Sequence, residues 1–263
     1  MTSYTHSGTT GDVFSSLALV RSIGPGDYYL KLDNLDKICQ SIGWGNAGRH
    51  SGRMNQKDFD FLAPIMEIQS CINKFAPWNG EEVEHPMEKI AVVGKHPNWA
   101  GTWPTNFAHQ YAVAMEIDLA QHKQTLQIEP YVEVDKPTVI PGKPICISRN
   151  PFYLEGVPDV TKVDEWINWI ERDLTEQAFF VGLLSDHAWF EDTMKVKVQY
   201  VPTSDGLELA RLIAGAKMMI GNQSMPATLA LGIGTTLWIE TRKNVELEKN
   251  EIFYPYRSNV MYF

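Results

Sequence analysis

The apolar positions of the chain follow two periods. SYTHSG reads as a short strand, and in DVFSSLALVRSIG the residues Val13, Leu17 and Val20 recur at helical spacing, with Phe14 and Ala18 widening the stripe. Gly24, Pro25 and Gly26 stop that helix, since glycine frees the backbone and proline removes a donor. DYYLKL then reads as a second strand and NQKDFDFLAPIMEIQS as a helix kinked or restarted at Pro64. TWPTNFAHQYAVAMEIDL predicts another helix, capped by Thr105 or Asn106.

The pattern is clearer in the second half. PICIS predicts a strand at 144–148, and VDEWINWIERDL a helix with Val163, Trp166, Ile167 and Ile170 on one face. AFFVGLL reads as a buried strand, DHAWFEDTM as a short helix and VKVQYV as a strand. DGLELARLIAGA predicts a helix whose Asp205 and Glu208 have capping-box spacing. The strand KMMIG, the turn GNQSMP, the helix ATLALGIG and the strand TTLWIE follow. About five strands separated by helices give this half a Rossmann-like order. Between the halves, DKPTVIPGKP places Pro137, Pro141 and Pro144 close together, as in a linker, so the expected domains are 1–136 and 137–263.

Composition narrows the class. The chain has 263 residues, 44% of them hydrophobic, enough to bury a substantial core. Its apolar runs fall short of the roughly 18 residues of a membrane span, and MTSYTHSG carries no basic region followed by an apolar one. The expectation is a cytoplasmic protein with no membrane span. A formal net charge of -9 argues against nucleic-acid binding through a broad basic surface, while leaving room for a local basic patch. Cys39, Cys71 and Cys146 are far apart and match no zinc or disulfide spacing, and the histidines show no metal-ligand spacing.

Four segments could carry chemistry. In HSGTTGDVF, between a strand and a helix, Gly8 and Gly11 allow close backbone approach, and the helix start near Asp12 offers free amides. The segment lacks the Lys-Ser/Thr of a phosphate loop and holds only part of the dinucleotide fingerprint. Asp12 reads either as an N-cap or as a general base facing a ligand. In the second segment, Gly221, Asn222, Gln223 and Ser224 form a polar turn before a helix that tolerates Pro226 in its first turn. That turn suits a diphosphate, or Ser224 is simply a cap. In SRNPFY, Arg149 follows a strand and is either a surface arginine or a fork for phosphate oxygens. SIGWGNAGRHSGRMNQK, residues 41–57, brings Arg49 and Arg53 near Trp44 in a Gly-rich loop, either solvated charge or a cover for an anionic acceptor.

Together, HSGTTGDVFSSLALVRSI and DGLELARLIAGAKMMIGNQSMPATLALGIGTTLWIE resemble the ADP-heptose:lipopolysaccharide heptosyltransferase family and its shorter phage-encoded glycosyltransferase relatives. AFFVGLLSD is similar to that family's central strand with its Gly and acidic turn. The resemblance implies an α/β protein of the GT-B class, two Rossmann-like domains facing across a cleft. It further implies an inverting transferase without metal or bound cofactor, using a nucleotide-diphosphate sugar as co-substrate. Asp12 matches the family's catalytic carboxylate, Arg149 roughly its basic phosphate contact, and Gly221, Asn222, Gln223 and Ser224 its donor turn. Thr9, Thr10 and Gly11 are then expected against the donor, and His6, Gly8, Arg49 and Arg53 against the acceptor. That acceptor is a glycan or, from the phage relatives, a hydroxymethylated DNA base. The family's turn usually has a Gly near Ser224 and a His near Ala227, and this chain has neither. A non-catalytic nucleotide-sugar binding or sensing protein is the alternative.

Overall fold

The computed structural model describes residues 1–32, 54–87, 115, 130–151, 175–222, 224–240 and 259–262. The helices read from TWPTNFAHQYAVAMEIDL and VDEWINWIERDL lie outside these residues, apart from Met115, as do Arg49, Arg53 and Gln223. The chain divides into two compact units, Met1–Glu133 and Val134–Phe263.

The first unit is built on β1 (Ser3–His6), α1 (Thr10–Ile23), β2 (Gly26–Leu30), α2 (Gln56–Met66), β3 (Ile72–Pro77) and β4 (His85–Pro86). Among the described residues its four strands are all parallel, in the order β3-β2-β1-β4. Such a sheet needs cover on its faces, and α1 is accordingly buried along Asp12 to Val20 rather than along one stripe. Ser16 Oγ and the Tyr28 hydroxyl share a buried 2.8 Å hydrogen bond that fixes α1 to β2. Phe59 of α2 stacks on Phe75 of β3 with centroids 5.0 Å apart. Gly26 is required by crowding, since a Cβ there would lie 2.4 Å from the Thr2 carbonyl oxygen. Pro64 does not restart a helix: α2 runs through it, and it falls in the last turn, just before the helix ends at Met66.

The second unit contains β5 (Ile145–Ser148), a helical turn at Thr175–Gln177, β6 (Ala178–Phe180), α3 (Leu184–Met194), β7 (Gln199–Tyr200), α4 (Gly206–Gly215), β8 (Met218–Asn222), α5 (Met225–Ile233), β9 (Thr236–Glu240) and β10 (Val260–Tyr262). These six parallel strands lie in the order β10-β9-β8-β5-β6-β7. Starting in the middle, running one way for three strands and then the other way for three is the doubly wound order of nucleotide-binding sheets. Ile145, Ile147, Phe180, Phe190, Met194 and Ile220 make its core, each removing apolar side-chain area worth roughly 1.5–3 kcal/mol.

Several boundaries differ from the sequence reading. AFFVGLL is a strand only to Phe180, because Gly182 turns the chain at φ 124° and Leu184 already opens α3. Only Gln199 and Tyr200 of VKVQYV pair with a neighbour. Asp205 does cap α4, accepting from the Glu208 amide at 2.8 Å, but the Glu208 carboxylate returns to the Ser204 amide rather than to that of Asp205. Among the described residues no helix is long and apolar enough to cross a membrane.

Candidate functional site

In an open parallel sheet, ligands bind beyond the strand C-termini where the strand order reverses. In the first unit that point lies between β1 and β4, and the chain leaving β1 there is Ser7-Gly8-Thr9. α1 starts at Thr10, two residues earlier than the sequence suggested, so Thr9 is the N-cap and Asp12 is its reciprocal partner in the first turn. Asp12 Oδ2 accepts from the Thr9 amide at 2.7 Å and from Thr9 Oγ1 at 2.9 Å, and Thr9 Oγ1 accepts from the Asp12 amide at 3.4 Å. The cap reading of Asp12 is thus corrected to a capping box, with a threonine in the role assigned to the aspartate.

His6 ends β1 and is only 1% exposed. Its Nδ1 accepts from the Gly8 amide at 2.7 Å, which leaves the proton of the neutral ring on Nε2. Burial pushes the imidazole down to about 4, against the opposing pull of the Asp12 charge. Gly8 sits between the two. A Cβ on it would lie 2.4 Å from His6 Cε1 and 2.7 Å from Asp12 Oδ2, so no side chain fits. His6, Gly8, Thr9 and Asp12 are therefore brought together, with Thr10 and Gly11 in the first helical turn beside them. His6 itself is enclosed, and a direct contact from its ring to an acceptor is not part of this arrangement.

In the second unit the strand order reverses between β5 and β8. Here the polar turn is shorter than the sequence indicated. Gly221 and Asn222 belong to β8, paired in parallel register with β9 and, at Gly221, with Ser148 of β5, rather than to a turn. Gly221 is a packing residue, since a Cβ on it would lie 2.2 Å from the Ser148 carbonyl oxygen. Asn222 bridges the reversal point: its Nδ2 donates to the Asn150 carbonyl at 2.8 Å and its Oδ1 accepts from the Asn150 amide at 3.4 Å.

Arg149 is neither a surface residue nor an open fork. It is 1% exposed, and its Nε and Nη2 both donate to the Glu240 carboxylate, the latter at 2.7 Å. Its guanidinium lies 4.9 Å from the centre of the Trp189 ring. Sequence reasoning missed Glu240 and Asn150. The ion pair joins residues 91 positions apart, so no local signal announces it, although an acidic residue closing a strand was visible in TLWIE.

Ser224 occupies the N-cap of α5 but its side chain caps nothing. Its hydroxyl donates back to the Asn222 carbonyl at 3.1 Å, and Pro226 stands in the first turn without an amide. A helix end without a side-chain cap from its N-cap residue carries a partial positive charge directed beyond the strand ends. Among the described residues no group of three His, Cys, Asp or Glu side chains could hold a metal ion.

No protein-family model matches this chain, and no curated protein sequence does either. Solved structures do match. Heptosyltransferase WaaC of E. coli, in complex with ADP-2-deoxy-2-fluoro heptose, superposes with a TM-score of 0.53 at 10% identity, over 100% of this chain and 92% of that one. E. coli ADP-heptose LPS heptosyltransferase II gives 0.53 at 12% identity, over 100% and 90%. A family 9 glycosyl transferase from Veillonella parvula gives 0.52 at 10% identity, over 99% and 84%. At these identities the likeness is one of fold, and the chain has the GT-B α/β fold found in these glycosyltransferases.

Proposed function

We propose that this chain is an inverting glycosyltransferase that moves a sugar from a nucleotide-diphosphate sugar to an acceptor hydroxyl. The observation that carries the reading is the Asp12 carboxylate at the reversal point of the first sheet, held by Thr9 on the first turn of a buried helix. In the reaction the acceptor oxygen forms a bond to the anomeric carbon as the bond to the diphosphate oxygen breaks. Asp12 takes the hydroxyl proton. Attack from the face opposite the leaving group inverts the anomeric centre.

The leaving diphosphate gains negative charge, and the uncapped N-terminus of α5 is the group suited to receive it. Asn222 and the Arg149–Glu240 pair hold the strand ends beneath that helix. With its Nε and Nη2 engaged by Glu240, Arg149 acts in this reading by fixing the floor of the donor site. Helix amides supplying the positive potential make a metal ion unnecessary. In this reading Gly8 and, as charge partners for an anionic acceptor, Arg49 and Arg53 serve the acceptor, while Thr9, Thr10 and Gly11 serve the donor. A glycan and a hydroxymethylated DNA base are the two acceptors to be tried.

The test is a mass-spectrometric transfer assay. Thermal shift with nucleoside diphosphates and their sugars first selects a donor, because a ligand that binds the folded state raises its melting temperature. That donor is then incubated with glycan and hydroxymethyl-DNA acceptors. Transferred sugar mass with an inverted anomeric centre supports the reading. A donor complex with no transfer to any acceptor favours the binding or sensing alternative suggested by the missing His near Ala227.

A further inference from the structure

His6 is buried at the end of β1 with its Nδ1 held by the Gly8 amide, and Gly8 is wedged between that ring and the Asp12 carboxylate. We propose that His6 is the positioning residue of Asp12: its neutral imidazole clamps the Gly8 amide and so fixes the Gly8-Thr9 turn that carries the carboxylate. The inference rests on the reading of Asp12 as general base and adds to it a residue that does not touch the substrate.

Three observations converge on this role. The 2.7 Å bond from the Gly8 amide to Nδ1 and the 2.7 Å bond from the Thr9 amide to Asp12 Oδ2 come from consecutive peptide groups, so the turn is pinned at both ends. The contacts a Cβ on Gly8 would make, 2.4 Å to the ring and 2.7 Å to the carboxylate, mean that ring and carboxylate are spaced by a backbone alone. A shift of either one is transmitted to the other. Finally, the ring is neutral at physiological pH, since burial lowers it to about 4. A protonated ring could not accept from Gly8, and its positive charge would draw the Asp12 carboxylate into an ion pair and lower its basicity. A neutral acceptor orients the base without neutralising it.

Among the described residues, the titratable and charged groups on the elements around His6 are Tyr4 on β1, Asp12 and Arg21 on α1, Asp27, Tyr28 and Tyr29 on β2, Lys31 just beyond β2 and His85 on β4. Of these, Asp12 is the one whose charge bears on the imidazole. Lys31 meets His6 through the backbone, donating its amide to the His6 carbonyl at 2.9 Å, while its ammonium lies over the Trp78 ring.

The test begins with the unaltered protein. Long-range proton–nitrogen spectra of histidine-labelled protein should show His6 as the Nε2–H tautomer at pH 7, with the Gly8 amide protected from exchange. His6→Phe keeps a ring and removes the acceptor, and His6→Asn keeps an acceptor oxygen close to the Nδ1 position. His6→Phe should speed Gly8 amide exchange by about tenfold, the scale of one hydrogen bond, and shift the Asp12 carboxyl carbon resonance. On a donor–acceptor pair found by the transfer assay it should lower kcat by at least about tenfold, as misplaced groups do, with nucleoside-diphosphate affinity unchanged. His6→Asn should restore both readouts to near the original values.

An Nδ1–H tautomer, or unchanged Gly8 exchange and Asp12 resonance in His6→Phe, overturns the clamp. Equal damage from the Phe and Asn variants reduces His6 to a packing residue and overturns it too. If no pair supports transfer, the proposed reaction fails, while the spectra still decide the clamp. Should His6→Phe not fold, the clamp stands or falls on the tautomer of the unaltered protein and on whether His6→Asn keeps the Gly8 amide protected.

Discussion

Two helix ends occupy equivalent places in this molecule. α1 and α5 each follow a strand at a point where the order of a parallel sheet reverses, and each is introduced by small polar residues. At α1, Thr9 and Asp12 satisfy the first-turn groups reciprocally, and the glycine ahead of them is enclosed by side chains. At α5, Ser224 turns its hydroxyl away from the helix to the Asn222 carbonyl. One end is closed around a carboxylate; at the other, Ser224 provides no side-chain cap. In the proposed reaction the same strand-turn-helix unit serves for a base in one unit and for a leaving group in the other, according to whether its cap is used.

The largest effect should come from Asp12→Asn. The amide preserves an acceptor for Thr9 but takes up no proton. Transfer should fall by roughly 10²- to 10⁴-fold, the usual contribution of a positioned base. Nucleoside-diphosphate binding, measured by calorimetry, should stay within error. A parallel loss of nucleotide affinity would break the comparison, because it would put the diphosphate at α1 rather than at α5.

Next in size is the pair under the open end. Glu240 is 8% exposed, and Glu240→Gln leaves the buried Arg149 guanidinium without its countercharge, at a cost of roughly 3–5 kcal/mol. The urea midpoint should fall accordingly. The matching change at the closed end, Thr9→Ala, removes a cap and should cost only about 1 kcal/mol. Equal costs would mean that the two ends are not anchored by different physics, one by a buried ion pair and one by local hydrogen bonds.

These anchors also explain what the sequence could reveal. The helical period in DVFSSLALVRSIG and the short apolar runs PICIS and KMMIG are local, and they gave α1, β5 and β8 at nearly their observed bounds. β3, INKFAP, was not recognised, because its strand residues after Ile72 are largely exposed or half-buried and lack alternation. β10 was missed too, since three residues carry no period. At the candidate site, Asp12, Gly8 and Gly221 were legible as residues but not as contacts. Whether Gly221 belongs to a turn or a strand depends on the Ser148 carbonyl beside it, which is contributed from a strand far away in the chain. Arg149 reads in the sequence as a surface arginine or a fork for phosphate oxygens, and not as half of a buried ion pair, because its partner, Glu240, is set by strand order alone.

The smallest change sharpens the comparison most directly. Ser224→Asp supplies α5 with the side-chain cap that Ser224 does not provide and adds a negative charge at a helix N-terminus, which together should stabilise the protein by about 0.5–1 kcal/mol. The same carboxylate would compete with and repel a bound diphosphate. The expected result is a raised melting temperature without ligand and a weaker nucleoside-diphosphate shift, two effects of opposite sign from one substitution. Mere disruption of the helix end would lower both. A stabilised variant that binds nucleoside diphosphates as tightly as before would show that this open end is not where the donor's negative charge lies, and the division of labour between the two helix ends would have to be abandoned.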